Sequence, residues 1–168
     1  MPKRVLASLV AALVGAVVPL SGAPAGKSAA LPAVEVYGPA ICLACIDWTD
    51  HLRQHGFSAS FRGIDDMAAV KRRLRVPPDM ESVPTAVVDG YFVEGHVPAE
   101  DIKLLLKERP KALGLAVPGL PVGAPGREQT VATCERGCTV LDDEAAQHVV
   151  RRELFNVYLI GHDGKVSI

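Results

Sequence analysis

Residues 33–56 read AVEVYGPAICLACIDWTDHLRQHG, and this stretch decides the fold class. Its first five residues alternate apolar and polar side chains, which predicts a β-strand that ends at the Gly-Pro pair. Apolar side chains at helical spacing follow and predict a helix over 43–55; they are Cys45, Trp48 and Leu52. The motif Cys42-Leu43-Ala44-Cys45 therefore lies between a strand and a helix, where the helix begins.

The following residues continue this alternation of strands and helices. Short strands are predicted at three places, 57–61, 85–88 and 91–93. Asp89-Gly90 predicts a hairpin, while Asp65 or Asp66 and Pro98 mark the starts of two further helices. The order strand, helix, strand, helix, hairpin, helix is that of a thioredoxin-like core. We therefore expect an α/β fold with a small mixed four-stranded sheet, flanking helices and a C-terminal extension.

The N-terminal residues 1–30 have the features of a secretory signal peptide. Two basic residues precede an uncharged apolar run over 5–20, and Ser28-Ala29-Ala30 offers small residues for cleavage. An uncleaved membrane anchor facing the periplasm is the alternative. The other predicted units are the thioredoxin-like core over 31–109, a Pro/Gly-rich wrap over 110–128, and an extension over 129–168 with a second cysteine pair and a hairpin.

Export of this kind predicts a periplasmic location, where disulfides persist. The signal holds three of the 18 Lys and Arg residues and none of the 19 Asp and Glu residues, so its removal leaves a net charge of −4. Such a surface has no general attraction for nucleic acid. No segment after the signal is long and apolar enough to predict a membrane span.

The cysteine motif at the helix start indicates redox or metal chemistry. The unpaired N–H groups and partial positive charge of a helix N-terminus favour a thiolate. Cys42 is then the exposed nucleophile, and Cys45, on the inward face of the helix, is the resolving thiol. The same two sulfurs suit a soft ion such as Cu(I). An inert, static disulfide is the alternative.

Two residues from other parts of the predicted core are candidates for the same site. Pro84 precedes the third strand, where thioredoxin-like proteins carry a cis-proline that faces the two cysteines; an ordinary trans proline is the alternative. His96 lies between the fourth strand and the last helix, so it is predicted to approach Cys42 as a base or a metal ligand. Its alternative role is a hydrogen bond to local backbone.

The other notable cysteines and histidines come in pairs of i, i+4 spacing. Cys134 and Cys138 have three possible roles: a local disulfide, resolution of the first pair, or two further thiolates for a metal site. His51 and His55 match a metal clamp on a helix face, but without a third ligand we expect them to be solvated surface residues.

The chain resembles the CopG-type periplasmic metal-binding proteins of copper resistance. The most specific matching stretches are Glu94-Gly95-His96-Val97-Pro98-Ala99 and Gly114-Leu115-Ala116-Val117-Pro118-Gly119. Val36-Tyr37 followed by Cys42 and Asp47-Trp48 also match, as does the final Asp163-Gly164 hairpin. The resemblance implies an exported protein, a thioredoxin-like fold and a copper-related function.

The departures from the family pattern all remove soft or imidazole ligands. The family usually has Cys-x-Cys-Cys where this chain has Ala44 before Cys45, and Cys-His where it has Val83-Pro84. Methionines that are common in the wrap are replaced by Leu120 and Arg127. What remains is a plain C-x-x-C that faces a proline, which is the layout of a thioredoxin-like redox protein.

Two functional hypotheses follow. In the first, the protein exchanges disulfides with exported proteins or copper-handling partners through Cys42, Cys45 and Pro84, and it requires no cofactor. In the second, it binds Cu(I) without turnover through a ligand set drawn from Cys42, Cys45, His96, Cys134 and Cys138. A scaffold that has lost its ancestral site is a third alternative.

Overall fold

The computed structural model describes residues 30–127, 153–164 and 166–167 of the 168-residue chain. The helices in these ranges are α1 (Leu43–Gln54), α2 (Met67–Leu74) and α3 (Ala99–Glu108), with a 3₁₀ turn at Pro78–Met80. The strands are β1 (Ala33–Gly38), β2 (Ser58–Gly63), β3 (Thr85–Val88), β4 (Tyr91–Glu94), β5 (Ala112–Ala116), β6 (Tyr158–Gly161) and β7 (Val166–Ser167). They form one sheet in the order β2-β1-β3-β4-β5-β6-β7.

The sheet is mixed, and its strand directions follow from the connections. β1 and β2 are parallel because α1 carries the chain back between them, and β4 and β5 are parallel because α3 does the same. The remaining neighbours are antiparallel. The tight turn between β3 and β4 contains Asp89 and Gly90, both with positive φ, as the sequence predicts for a hairpin.

The α/β class is confirmed, but the predicted four-stranded sheet is wrong, since the described residues form a seven-stranded one. β5 lies in the stretch that was expected to be an extended wrap, and β6 and β7 follow near the C-terminus around the predicted Asp163-Gly164 turn. Gly114 explains why β5 resembles a loop in the sequence. A Cβ at this position would stand 2.0 Å from the carbonyl oxygen of Phe92, so close packing against β4 requires the glycine.

Several sequence-based expectations fall outside the described residues. These are the signal peptide apart from residue 30 and the second cysteine pair, Cys134 and Cys138. Within the described ranges, none of the helices has the length and apolar character needed to cross a membrane.

One apolar cluster joins α1 and α3 to the sheet. It contains the inward side chains of both helices and of five strands, β1 to β5, among them Trp48, Leu52, Ile102, Val36 and Val88. Trp48 is fully buried, and its indole Nε1 donates a hydrogen bond to the carbonyl oxygen of Val97 (2.9 Å). This bond satisfies the one polar atom of the largest core side chain and ties α1 to the segment that leads into α3.

A buried ion pair joins α2 to the end of β4. Glu94, the last residue of β4, is fully buried, and one of its carboxylate oxygens pairs with the ammonium of Lys71 and accepts a hydrogen bond from the amide of Ser82 (2.6 Å). The other oxygen accepts from the hydroxyl of Thr85 (2.7 Å). Burial raises the pKa of the Glu94 carboxyl, and the Lys71 charge and these hydrogen bonds act in the opposite direction.

The buried pair makes a prediction about stability. Glu94→Gln should lower the free energy of unfolding by about 3–5 kcal/mol, because it leaves the buried ammonium of Lys71 without its counter-charge. Adding Lys71→Met should recover most of the loss, since no charge then remains buried alone. Urea unfolding followed by the fluorescence of Trp48 measures both variants. If the free energy of unfolding of Glu94→Gln alone lies within about 1 kcal/mol of the wild-type value, the ion pair is solvated in solution.

Candidate dithiol site

Cys42 is the N-cap residue of α1. Its Sγ accepts a hydrogen bond from the amide of Cys45 (3.2 Å), and its carbonyl oxygen accepts the first helical bond, from Ile46 (3.1 Å). Cys42 thus takes the place that serine or aspartate usually fills at a helix start. The unpaired amides and partial positive charge of this turn favour the thiolate over the thiol.

A disulfide joins Cys42 to Cys45, with their Cα atoms 5.2 Å apart. The two cysteines differ in exposure, since Cys45 is fully buried and Cys42 is partly open to solvent. Cys45 lies against Gly38 at the end of β1, where an added Cβ would come within 2.8 Å of the Cys45 Sγ. A partner molecule therefore meets Cys42 first.

Pro84 lies at the same end of the sheet as the two cysteines. The Val83-Pro84 peptide bond is cis, and Pro84 is buried. The antiparallel register of β1 and β3 pairs Tyr37 with Thr85, so one residue further Pro84 stands opposite Gly38. Because the Cys45 sulfur packs on Gly38, Pro84 and the disulfide border the same glycine.

The buried carboxylate of Glu94 holds the chain on both sides of this proline. Its bonds to Ser82 and Thr85 fix the residues two before and one after Pro84, and the carbonyl oxygen of Pro84 accepts from the amide of Gly95 (2.7 Å). Sequence reasoning missed this group. The available signal was Lys71, which occupies a place in the inward stripe of α2 beside Val70, where an apolar residue is expected.

His96 is fully buried, and its Nδ1 donates a hydrogen bond to the carbonyl oxygen of Pro125 (2.8 Å). The alternative role predicted for His96 was a bond to local backbone, whereas this carbonyl lies 29 residues away in the sequence. Over residues 30–127, 153–164 and 166–167, no three His, Cys, Asp or Glu side chains gather in a way that could hold a metal ion.

The histidine pair on α1 contributes to packing rather than standing in solvent as expected. The rings of His51 and His55 stack with centroids 4.2 Å apart, and the Nδ1 of His55 donates to the carbonyl oxygen of His51 (2.8 Å). The Nε2 of His51 accepts a hydrogen bond from the amide of Ala99 (3.3 Å). Since Pro98 offers no capping side chain, His51 supplies a cap to α3 from another helix.

Comparison with known proteins gives one family and one pair of solved structures. Residues 80–127 match the family model described as a protein of unknown function, DUF411. Two solved structures of copper resistance protein CopG, Form 1 and Form 2, are each similar to this chain at 40% identity. Each match has a TM-score of 0.65 and covers 82% of this chain and 94% of the other. No curated protein matches the sequence.

The unequal exposure of the cysteines predicts unequal reactivity. In the reduced protein, Cys42 should react with iodoacetamide at least about ten-fold faster than Cys45, because a thiolate must be accessible in order to react. Peptide mapping after short exposures measures each site separately. In a Cys42→Ser control, Cys45 should stay slow in buffer and become fast in urea. Equal rates in the folded wild type would contradict the burial of Cys45.

Proposed function

The chain belongs to the CopG family of copper resistance proteins, and from this premise we propose that it is an exported dithiol protein that exchanges disulfides with copper-handling partners. The observation that carries the proposal is the arrangement of the Cys42–Cys45 disulfide. One sulfur caps a helix on a residue partly open to solvent, the other belongs to a buried residue that packs on Gly38, and the strand register places the cis-proline Pro84 opposite that glycine. A pair with one accessible and one buried sulfur is suited to reversible reduction and re-formation of its disulfide.

The exchange has two steps that conserve electrons. In the reduced protein the Cys42 thiolate attacks a partner disulfide, which forms a mixed disulfide and releases one partner thiolate. Cys45 then loses its proton and attacks the Cys42 sulfur, which re-forms the intramolecular disulfide and releases the second partner thiolate. The partner disulfide gains two electrons and the Cys42–Cys45 pair loses two. The reverse sequence oxidises a partner dithiol.

A thioredoxin-like fold is part of the proposal. Its support is the order β2-β1-β3-β4, with β1 and β2 parallel and β3 antiparallel to both of its neighbours, together with α1 and α3 packed in one core with the sheet. Proline also suits its place in this site. It has no backbone N–H and no ligand atom, so Pro84 offers the sulfurs neither a competing hydrogen bond nor a metal ligand.

The link to copper rests on the family. A protein that keeps copper-binding cysteines of other exported proteins reduced, or oxidises them, would act in copper resistance without holding the metal itself. We propose that the predicted signal at residues 1–30 delivers the chain to the periplasm, where such partners meet the metal. Cu(I) favours thiolate ligands, so the disulfide state of a partner decides whether it can bind copper.

Direct Cu(I) binding is the second candidate function, and the name of the related CopG structures favours it. The two thiolates of reduced Cys42 and Cys45 stand close enough to hold one soft ion as cargo. His96, Cys134 and Cys138 remain proposed additional ligands. This chain lacks the family's ligands at Ala44 and Val83-Pro84, which favours disulfide exchange over a larger copper site.

The first experiment traps the intermediate. Reduced Cys45→Ser protein mixed with insulin should accumulate a mixed disulfide at Cys42, since the resolving thiol is missing. Wild type should reduce insulin without accumulating the adduct, and Cys42→Ser should form no adduct in this motif. Mass spectrometry of peptides from non-reducing digests locates the bond. If wild type leaves insulin disulfides intact and Cys45→Ser forms no adduct, the exchange function is wrong.

The second experiment tests the missing ligands. A variant with Ala44→Cys, Val83→Cys and Pro84→His should hold more Cu(I) per chain than wild type, because it adds two thiolates and an imidazole around Cys42. Titration of reduced protein against a competing Cu(I) chelator measures this, with Cys42→Ser as the control. Equal loading would show that these positions do not limit copper binding. Tight wild-type binding that Cys42→Ser abolishes would favour the second candidate function.

A further inference from the structure

Large apolar side chains are exposed to solvent around the partly exposed residue Cys42. Ile41 is 93% exposed, Leu43 is 75% exposed and Ile46 is 39% exposed. Pro39 and Ala40, which lead into them, are exposed as well. We call Pro39, Ala40, Ile41, Leu43 and Ile46 the apolar collar. In the described part of the chain, three of the seven exposed large hydrophobic residues fall in this one short run.

Local helix structure does not account for the collar. Ile41 and Ile46 occupy the N′ and N4 positions of α1, which often pack together as a hydrophobic staple. A side chain that is 93% exposed is not packed in this way. None of the collar residues belongs to the apolar clusters of the described core. Exposure of the collar to water is therefore unfavourable and does not stabilise the fold. Such an exposed apolar patch usually marks a binding surface.

The chemistry of the collar favours a polypeptide over a small polar partner. Residues 38–46 contain no charged side chain, and the first one is Asp47. A hydrated ion or a small charged disulfide would find no side chain on the collar to replace its water. Apolar side chains of a polypeptide would instead be buried there together with Ile41 and Leu43.

The geometry of a mixed disulfide directs that polypeptide onto the collar. A disulfide holds the Cα atoms of its two cysteines roughly 4.4–6.8 Å apart. A partner cysteine bonded to Cys42 therefore brings its own neighbours in sequence over the neighbours of Cys42, which are Ile41 and Leu43. Residues that flank the partner cysteine contact the collar before the exchange is complete.

We propose that the collar docks an extended polypeptide segment whose reacting cysteine is flanked by apolar residues, and that it selects such segments over small disulfides and polar peptides. The proposal rests on the disulfide-exchange function above and names its substrate class. Docking raises the local concentration of the partner disulfide at Cys42, so its effect is on the rate of attack.

The test compares two short peptides, each with a central cysteine held as a mixed disulfide with thionitrobenzoate, whose release is followed by absorbance. One peptide carries leucine and phenylalanine beside the cysteine, and the other carries serine and asparagine. Reduced wild type should react with the apolar peptide about ten-fold faster, which corresponds to the burial of one aliphatic side chain. The double variant Ile41→Ser/Leu43→Ser should lose this preference while keeping its rate with the polar peptide.

The matched control is Leu104→Ser, which removes an apolar side chain that is 48% exposed on α3; it should keep the preference. Equal wild-type rates with the two peptides, or a preference that survives in the double variant, would overturn the docking proposal and leave disulfide exchange standing. Reaction with neither peptide would overturn the exchange function and the docking proposal together. A concentration-dependent dimer that dissociates in the double variant would assign the collar to a second copy of the chain and overturn the proposal.

Discussion

The buried carboxylate of Glu94 is the interaction on which the rest of the structure depends. Its side chain joins α2 to the loop before β3, through Lys71, Ser82 and Thr85. The backbone carbonyl of Glu94 accepts a hydrogen bond from the amide of Val117 (2.8 Å), which fixes the chain just beyond β5. A carboxylate without water must have all these partners, because an unpaired buried charge costs several kcal/mol. The helix α2, the loop before β3, the β3–β4 hairpin and the segment after β5 are thereby required to assemble together.

The residues that follow Glu94 also fix the segment after β5 and the helix α1. A Cβ at Gly95 would stand 2.1 Å from the carbonyl oxygen of Val117, so only glycine lets the segment after β5 approach so closely. His96 then binds the carbonyl oxygen of Pro125, and the carbonyl of Val97 accepts from Trp48 on α1. The side chain of Glu94 thus holds the loop that contains Pro84, and the carbonyl of Val97 holds α1, the helix that Cys42 caps. One stretch of four residues fixes both.

The sequence contained enough information for the local structure but not for the distant contacts. The position of Cys42 at a helix start follows from a strand, a turn and a helical period that are all local. The width of the sheet does not, because Gly114 signals a loop in the sequence and shows its purpose only against β4. Lys71 and His51 were missed for the same reason. His51 looks like a surface residue until its partner on α3 is known, and the inward position of Lys71 is explained only by Glu94 on β4.

The same division explains how one scaffold can carry different chemistry at its dithiol. The contacts that fix the backbone on both sides of Pro84 come from Glu94, Gly95 and Val97, none of which belongs to the dithiol motif. Glu94 holds the loop through the backbone of Ser82 and the hydroxyl of Thr85 and not through the side chains of Val83 and Pro84 between them. A substitution at Val83 or Pro84 that keeps the backbone conformation therefore removes no contact of Glu94. A change in the chemistry of the site is therefore confined to the site and does not destabilise the fold.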